Sequence, residues 1–412
     1  MTHAYLPAIE HDAMLETYRH LHRNPELSMQ EHRTAEYIEQ RLDELSIEHF
    51  RCGGTGVVGI LRNGDCPVIA FRADTDGLPI QEDTGAEYRS DARGTLADGT
   101  DVPVMHGCGH DSHVAAALAA ARVMQRERAG WSGTIVWIFQ PGEETAEGAA
   151  AMVADGLWER APIPELVLGQ HVVSEVPTGS VGIASGTAMA MADSLRVTVW
   201  GQQSHGSQPQ NGIDPLVLGA HMVVRLQTIV SRELAPQDPA VVTCGTFHAG
   251  LKENIIPDRA EFTLNIRTLR EDTRDRVLAA ITRILNAEAA ASNAPAPEIA
   301  EMYRFPLLFN DPERATGVRA ALATELGEAQ VVELPPAMGS EDFGWLADAA
   351  GVPNVYWVFG AYPAGTVSPP VNHSPFFLPD PEPTLETGVR AAVAALRYAL
   401  GAAGTPASAP AV

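Results

Sequence analysis

Two periods govern the apolar positions of this chain, and the switch between them divides it. Near the N-terminal end the spacing is helical. An amphipathic helix is predicted from about Asp12 to just before Pro25. A second is predicted from Ser28 to about Leu45, with Ser28 and Glu31 spaced as a capping box. Short, continuously apolar runs follow at Val57–Leu61, Pro67–Ala73, Thr134–Phe139 and Leu166–Gly169. Runs of that length without alternation fit strands buried on both faces, as in a mostly parallel sheet between helices. The Ala-rich stretch Val114–Gln125 reads as a helix between two of them.

The style changes after Gly182. Leu195–Trp200 alternates, and so does Ala260–Ile266, where Phe262, Leu264 and Ile266 face away from Glu261, Thr263 and Asn265. Half-buried antiparallel strands read this way. With helices near Pro215–Val230 and Asp272–Ala289, they predict an inserted α+β open-faced sandwich. Asn354–Phe359 resumes the buried style, and Leu385–Leu400 is a closing helix. The expected organisation is α/β. A catalytic domain is built from residues 1–184 and 299–402, residues 185–298 form the insert, and 403–412 are an Ala/Pro/Gly-rich disordered tail.

Composition narrows the function. A formal charge of −24 argues against nucleic-acid binding, which needs a basic face. It also repels an anionic substrate at long range, so such a substrate needs local positive charge. No apolar run approaches the roughly 20 residues that span a bilayer, and residues 1–10 lack the features of a signal peptide. Cys52, Cys66, Cys108 and Cys244 show no disulfide pattern, so the expected compartment is the cytoplasm, without membrane association.

The chemistry concentrates in His106-Gly-Cys-Gly-His-Asp-Ser-His113, where a thiol and an imidazole two residues apart suit a borderline-soft ion. Other candidates sit at the ends of predicted strands: Asp74 and Asp76, Glu143 and Glu144, His171, and His373. Ligand sites in open α/β sheets lie at carboxyl ends of strands. Taken singly, each has a plain reading: turn-forming aspartates, a solvated pair of glutamates, structural histidines. Five independent strand ends that each deliver an acid, a thiol or an imidazole are better explained by one site. Cys108, His110, Glu144, His171 and His373 are too many for one open tetrahedral ion and suit two metals sharing a water. Of two adjacent glutamates, one binds metal while the other moves a proton. Cys108 as nucleophile with His110 as base would leave the remaining groups without a purpose. A metal-binding protein without activity would be expected to lack a base or a ligand.

Asn24-Pro-Glu-Leu27, Arg72-Ala-Asp-Thr-Asp-Gly-Leu-Pro-Ile80, His106–His113, Phe139-Gln-Pro-Gly-Glu-Glu144 and Gly339-Ser-Glu-Asp-Phe343 occur in that order. Together they resemble the aminoacylase/carboxypeptidase clan of dinuclear metallohydrolases. The resemblance is closest to the branch of hippurate hydrolases, N-acyl-amino-acid amidohydrolases and indole-acetyl-amino-acid hydrolases. It implies a linear-amide hydrolase with two divalent ions (zinc, manganese, nickel or cobalt), an insert that acts as lid, and a homodimer formed through it. The implied substrate is a small N-acyl or N-aroyl amino acid, attacked by a metal-bridging hydroxide; a dipeptidase or narrow deacetylase of the clan is the alternative. By the same resemblance Cys108, His110, Glu144, His171 and His373 match metal ligands and Glu143 the general base. Asp76, or Asp74 with it, matches a carboxylate supporting the ligands. His205 matches an oxyanion donor, in this subunit or its partner, and Asn254 and Arg267 match contacts to the substrate carboxylate. Thr75, Gly77, Val173, Asn372 and the Gly-Ser-Gln-Pro after His205 depart from the commoner pattern, and none of them removes a ligand or the base.

Overall fold

The computed structural model describes residues 5–401, so the expected tail at 403–412 lies outside the described residues. The chain divides into two compact units: one runs through Ala188, then Phe309–Pro335 and on from Asp342, and the other comprises Met189–Leu308 with Pro336–Glu341. The strands used below are β1 (Glu48–Cys52), β2 (Gly56–Arg62), β3 (Val68–Asp74), β4 (Thr134–Gln140), β5 (Leu166–Pro177), β6 (Val181–Ile183), β7 (Met191–Trp200), β8 (Ala240–Ala249), β9 (Arg259–Thr268), β10 (Glu298–Phe305), β11 (Val331–Glu333) and β12 (Asn354–Tyr362). The helices are α1 (Ala8–Arg23), α2 (His32–Glu44), α3 (His110–Arg126), α4 (Pro215–Thr228), α5 (Glu271–Ala291), α6 (Pro312–Leu326) and α7 (Pro381–Ala399).

The first unit is a mixed eight-stranded sheet in the order β1-β2-β4-β3-β5-β12-β6-β11. Its centre, β4-β3-β5-β12, is parallel throughout, and antiparallel pairs flank it. Every residue of β3 and β4 is buried, which is why both read as unbroken apolar runs. Helices α1, α3, α6 and α7 pack against one another and share one apolar cluster with the sheet, centred on Trp137, Trp357, Phe71 and Phe359. Where the chain re-enters this unit, the buried Asn310 side chain donates to Ala184 O and Tyr356 O and accepts from Tyr356 N. A fully paired amide of this kind is a specific stitch in an otherwise apolar layer.

Register positions the functional loops. Asp74 pairs with Gln140 across β3 and β4, and His171 with Val358 across β5 and β12. The loops after β3 and β4 therefore leave the sheet side by side. Two expectations change. The Ala-rich helix begins at His110 rather than Val114, so His110 sits in its first turn. The β5 strand continues through His171 to Pro177, so His171 lies within a strand and not at its end.

The second unit is an antiparallel sheet, β8-β9-β7-β10, with α4 and α5 over one face. Phe262, Leu264 and Ile266 are buried beneath those helices, while Thr263, Asn265 and Arg267 alternate onto the opposite face. Asp193 on β7 accepts two hydrogen bonds from Arg274 at 2.8 and 2.5 Å, fixing α5 to the sheet. The sheet extends to Phe305 because β10 pairs with β7, so residue 298 begins a strand of this unit.

Candidate metal centre

Cys108 and His110 flank Gly109, whose φ of 83° is a left-handed conformation open to glycine at little cost. A Cβ there would lie 2.4 Å from Val172 Cγ1. The sharp turn starts α3 at once, so the thiol and the imidazole share one site.

Hydrogen bonds fix which ring nitrogen each histidine presents. His110 Nδ1–H donates to Asp76 Oδ1 at 3.1 Å, and Nε2 is buried without a hydrogen-bond partner. His171 Nδ1–H donates to Val172 O at 2.7 Å, and its Nε2 lies 3.4 Å from Cys108 Sγ. In both rings Nε2 is the nitrogen left to face a cation, which is how a histidine ligand is oriented when a carboxylate or carbonyl holds the other nitrogen. His113 differs. Val172 N–H donates to its Nε2 at 2.8 Å, so the proton is on Nδ1, bonded to Asp74. Both nitrogens are committed, and His113 supports the site without facing it. His106 is buried with neither ring nitrogen paired, and burial lowers its pKa to about 4, so it is a neutral spacer.

Glu144 Oε1 is buried, 3.3 Å from His373 Nε2 and 3.9 Å from His110 Nε2, within ion-pair distance of both rings. Ligand atoms of Cys108, Glu144 and His373 lie within 4.8 Å of one another, as do those of His110, Glu143 and Glu144. Glu143 is buried. The chain thus brings together all five residues expected as ligands, together with the expected base.

The electrostatics favour a cation. Burial disfavours charge on His110, yet the Asp74 carboxylate and the hydrogen bond to Asp76 hold its pKa well above the usual value. Bonds to Cys108 and Glu144 raise His373 to about 10. Burial, then the Glu144 charge, pushes the Cys108 thiol up. Burial and the neighbouring His113 hold His171 well below the usual value. The field that retains protons on His110 and His373 would equally retain a divalent ion, which displaces them. His110 Nε2, Glu144 Oε1, a thiol and further imidazoles form a donor set suited to zinc, manganese, nickel or cobalt.

Asp76 also accepts from Ser28 Oγ at 2.7 Å and from Glu144 N at 3.1 Å. The buried Arg72 guanidinium pairs with Asp74 at 2.6 Å. Glu31 receives Gly142 N at 2.8 Å, Met29 N at 2.9 Å and Thr55 Oγ1 at 2.5 Å. Ser28 and Glu31 therefore brace the glutamate loop and are not a capping box; α2 begins later, at His32, and Glu26 Oε2 accepts its Thr34 N–H at 2.8 Å. The Glu31 carboxylate goes to buried loop N–H groups, which would be costly to leave unpaired, and Glu26 serves the helix start instead. Spacing alone could not show this.

The remaining expected site residues lie in the second unit. His205, in the short strand Ser204–His205 paired with Ile255–Ile256, accepts Ser207 N–H at Nδ1, which leaves the ring proton on Nε2 as a donor. Gly206 N bonds Asn254 O at 2.8 Å, so His205 and Asn254 are neighbours. Arg267 is half-buried on β9 and donates to Asn265 Oδ1 and Ser340 Oγ. Burial lowers its pKa.

The family model of peptidase family M20/M25/M40 matches residues 70–398. A hippurate hydrolase of Campylobacter jejuni is 37% identical over 341 residues, 81% of this chain and 85% of its own length. Thermostable carboxypeptidase 2 of Saccharolobus solfataricus is 33% identical over 94% of this chain and 95% of its own. A Bacillus subtilis crystal structure, described as a dinuclear metal binding peptidase of the M20 family, aligns with a TM-score of 0.78 at 29% identity, covering 96% of this chain and 100% of that one.

Beside the centre, His22 on α1 is clamped between Asp111 at 2.6 Å and Glu82 at 3.1 Å, all three buried. Burial opposes its charge, but the two carboxylates prevail and raise its pKa to about 9. A raised pKa stabilises the fold below the unfolded value near 6.5, and that stability is lost as pH rises through about 9. Unfolding free energy should therefore fall by about 3 kcal/mol over this window. His22→Gln should flatten that part of the profile in denaturant titrations; an equally steep decline in the variant would show that His22 is not its source.

Proposed function

The chain belongs to peptidase family M20/M25/M40, an assignment carried by the match over residues 70–398, and we propose that within it the protein is a dinuclear metal amidohydrolase of N-acyl or N-aroyl amino acids. The carrying observation is the convergence of Cys108, His110, Glu144 and His373 with a buried, adjacent Glu143. Divalent ions held by Cys108, His110, Glu144, His171 and His373 would acidify a water and polarise the acyl carbonyl.

In this reading Glu143 takes the proton of the attacking water and returns it to the departing amide nitrogen, so an amide and water become a carboxylic acid and an amine. Asp76 keeps His110 in the tautomer that offers Nε2. His205, whose Nε2–H is free to donate, stabilises negative charge developing on the acyl oxygen. Arg267 and Asn254 recognise the substrate carboxylate; a guanidinium supplies the local positive charge that a chain of net charge −24 otherwise lacks. The hippurate hydrolase relative favours an N-aroyl substrate, and the carboxypeptidase relative favours the alternative, a peptidase.

A homodimer through the second unit fits two features of that unit. β8 is an edge strand, and Val241 on it is exposed, as are Leu216, Val217 and Val224 on the adjoining α4. A second copy would cover both the unpaired strand edge and the apolar side chains. The cytoplasm is the proposed compartment, since Cys52, Cys66, Cys108 and Cys244 are all free; no described helix is long and apolar enough to cross a membrane.

Three outcomes are expected. On a panel of acetyl, benzoyl and long-acyl amino acids and dipeptides, N-acyl amino acids should be cleaved fastest. Glu143→Ala should keep its metal while turnover falls at least ~10²–10⁴-fold. Near-normal turnover in that variant, or a clear preference for dipeptides, would overturn the respective assignment. The sedimentation mass should be that of a dimer and become monomeric in Val224→Glu/Val241→Glu; a monomeric unaltered chain would refute the dimer.

A further inference from the structure

Asn372, between the β12 strand and His373, makes a set of contacts that no part of the mechanism above uses. Its Nδ2 lies 3.1 Å from Cys108 O, 3.1 Å from Val172 O and 3.8 Å from Cys108 Sγ. All three partners are acceptors, which settles the amide orientation: the NH2 group faces them. Its two hydrogens serve the two carbonyls, and the sulfur shares one of them weakly.

Those carbonyls belong to the segments that carry other ligands. Val172 O also accepts the Nδ1–H of His171, and Val172 N–H fixes His113. The next residue, His373, donates its own N–H to Gly107 O at 2.8 Å. The dipeptide Asn372-His373 is thus fastened to Gly107-Cys108 by two backbone-directed bonds and to the His171 strand by a third. His373 has a φ of 67°, in the left-handed region that residues with a side chain adopt uncommonly. The carboxamide bonds on one side and the His373 N–H bond to Gly107 O on the other hold the dipeptide in it.

We propose that Asn372 is a positioning residue of the metal centre, holding the His373 loop in register with Cys108 and His171 and moderating the Cys108 sulfur as a donor. This rests on the metal-centre reading above. A side chain of similar volume without donors would leave Cys108 O and Val172 O each short of a partner and the His373 backbone free to relax, while every ligand remains present. Loss of a partner that orients ligands typically costs ~10–100-fold in metal affinity.

The test uses the full chain loaded with cobalt. In Asn372→Leu, competition with a chelator should show affinity lowered ~10–100-fold, with the melting temperature of the metal-free protein little changed. The sulfur-to-cobalt charge-transfer band should move to lower energy, because a thiolate that loses an N–H neighbour donates more readily. Asn372→Asp, the same shape with an oxygen turned toward two carbonyls, should lose more affinity still. If the leucine variant does not fold, Asn372→Ser carries the same expectations. Variants with the unaltered chain's chelator resistance and cobalt band would overturn the proposal while leaving the metal centre intact. An unaltered chain that binds no cobalt would remove both.

Discussion

The hydrogen bond from His110 Nδ1 to Asp76 is the interaction on which the site depends. It decides which nitrogen of His110 faces its neighbours, and the same carboxylate takes Ser28 Oγ and Glu144 N. Three segments far apart in sequence, one before α2, one opening α3 and one following β4, are therefore set by a single buried group. A buried carboxylate survives only if its oxygens are paired, so each of those contacts also stabilises the charge that fixes the others. Around it, His110 Nε2 is buried without a hydrogen bond and Glu144 Oε1 is left to face the His373 and His110 rings. Both atoms lie among the other candidate ligands, which is where a metal ion would use them.

The sheet makes this arrangement possible. Parallel strands β4, β3, β5 and β12 deliver their following loops to the same edge, and register places Asp74 beside Gln140. Arg72, buried in β3, joins Asp74 to Gln140 and Asp342, so the strand ends are held by charge as well as by packing. The second unit is organised differently. Its antiparallel sheet is covered on one face by α4 and α5, and the polar residues of β9, Arg267 among them, alternate onto the other.

Much of this was legible in the sequence because it is written in local pattern. Buried parallel strands leave unbroken apolar runs, half-buried ones alternate, and the Cys108–His110 segment is dense enough in ligands to stand out alone. What was not legible depends on residues far apart in the chain. Ser28 and Glu31 carry the spacing of a helix cap, but their side chains answer to Asp76, Thr55 and Gly142. The strand holding His171 runs on past its apolar stretch because β12 pairs with it as far as Pro177. Asn372 looked like a departure from pattern, and its three partners lie at Cys108 and Val172, some two hundred residues or more away. Spacing identifies candidate ligands; it does not identify the groups that aim them.

The central claim is that these side chains hold metal for amide hydrolysis. The most direct measurement is metal content of the purified protein together with hydrolysis of an N-acyl amino acid before and after chelation. The account predicts two divalent ions per chain, loss of activity when they are removed, and recovery on adding zinc, manganese, nickel or cobalt. Full activity in the metal-free protein, abolished instead by alkylating Cys108, would contradict it and make that thiol the nucleophile.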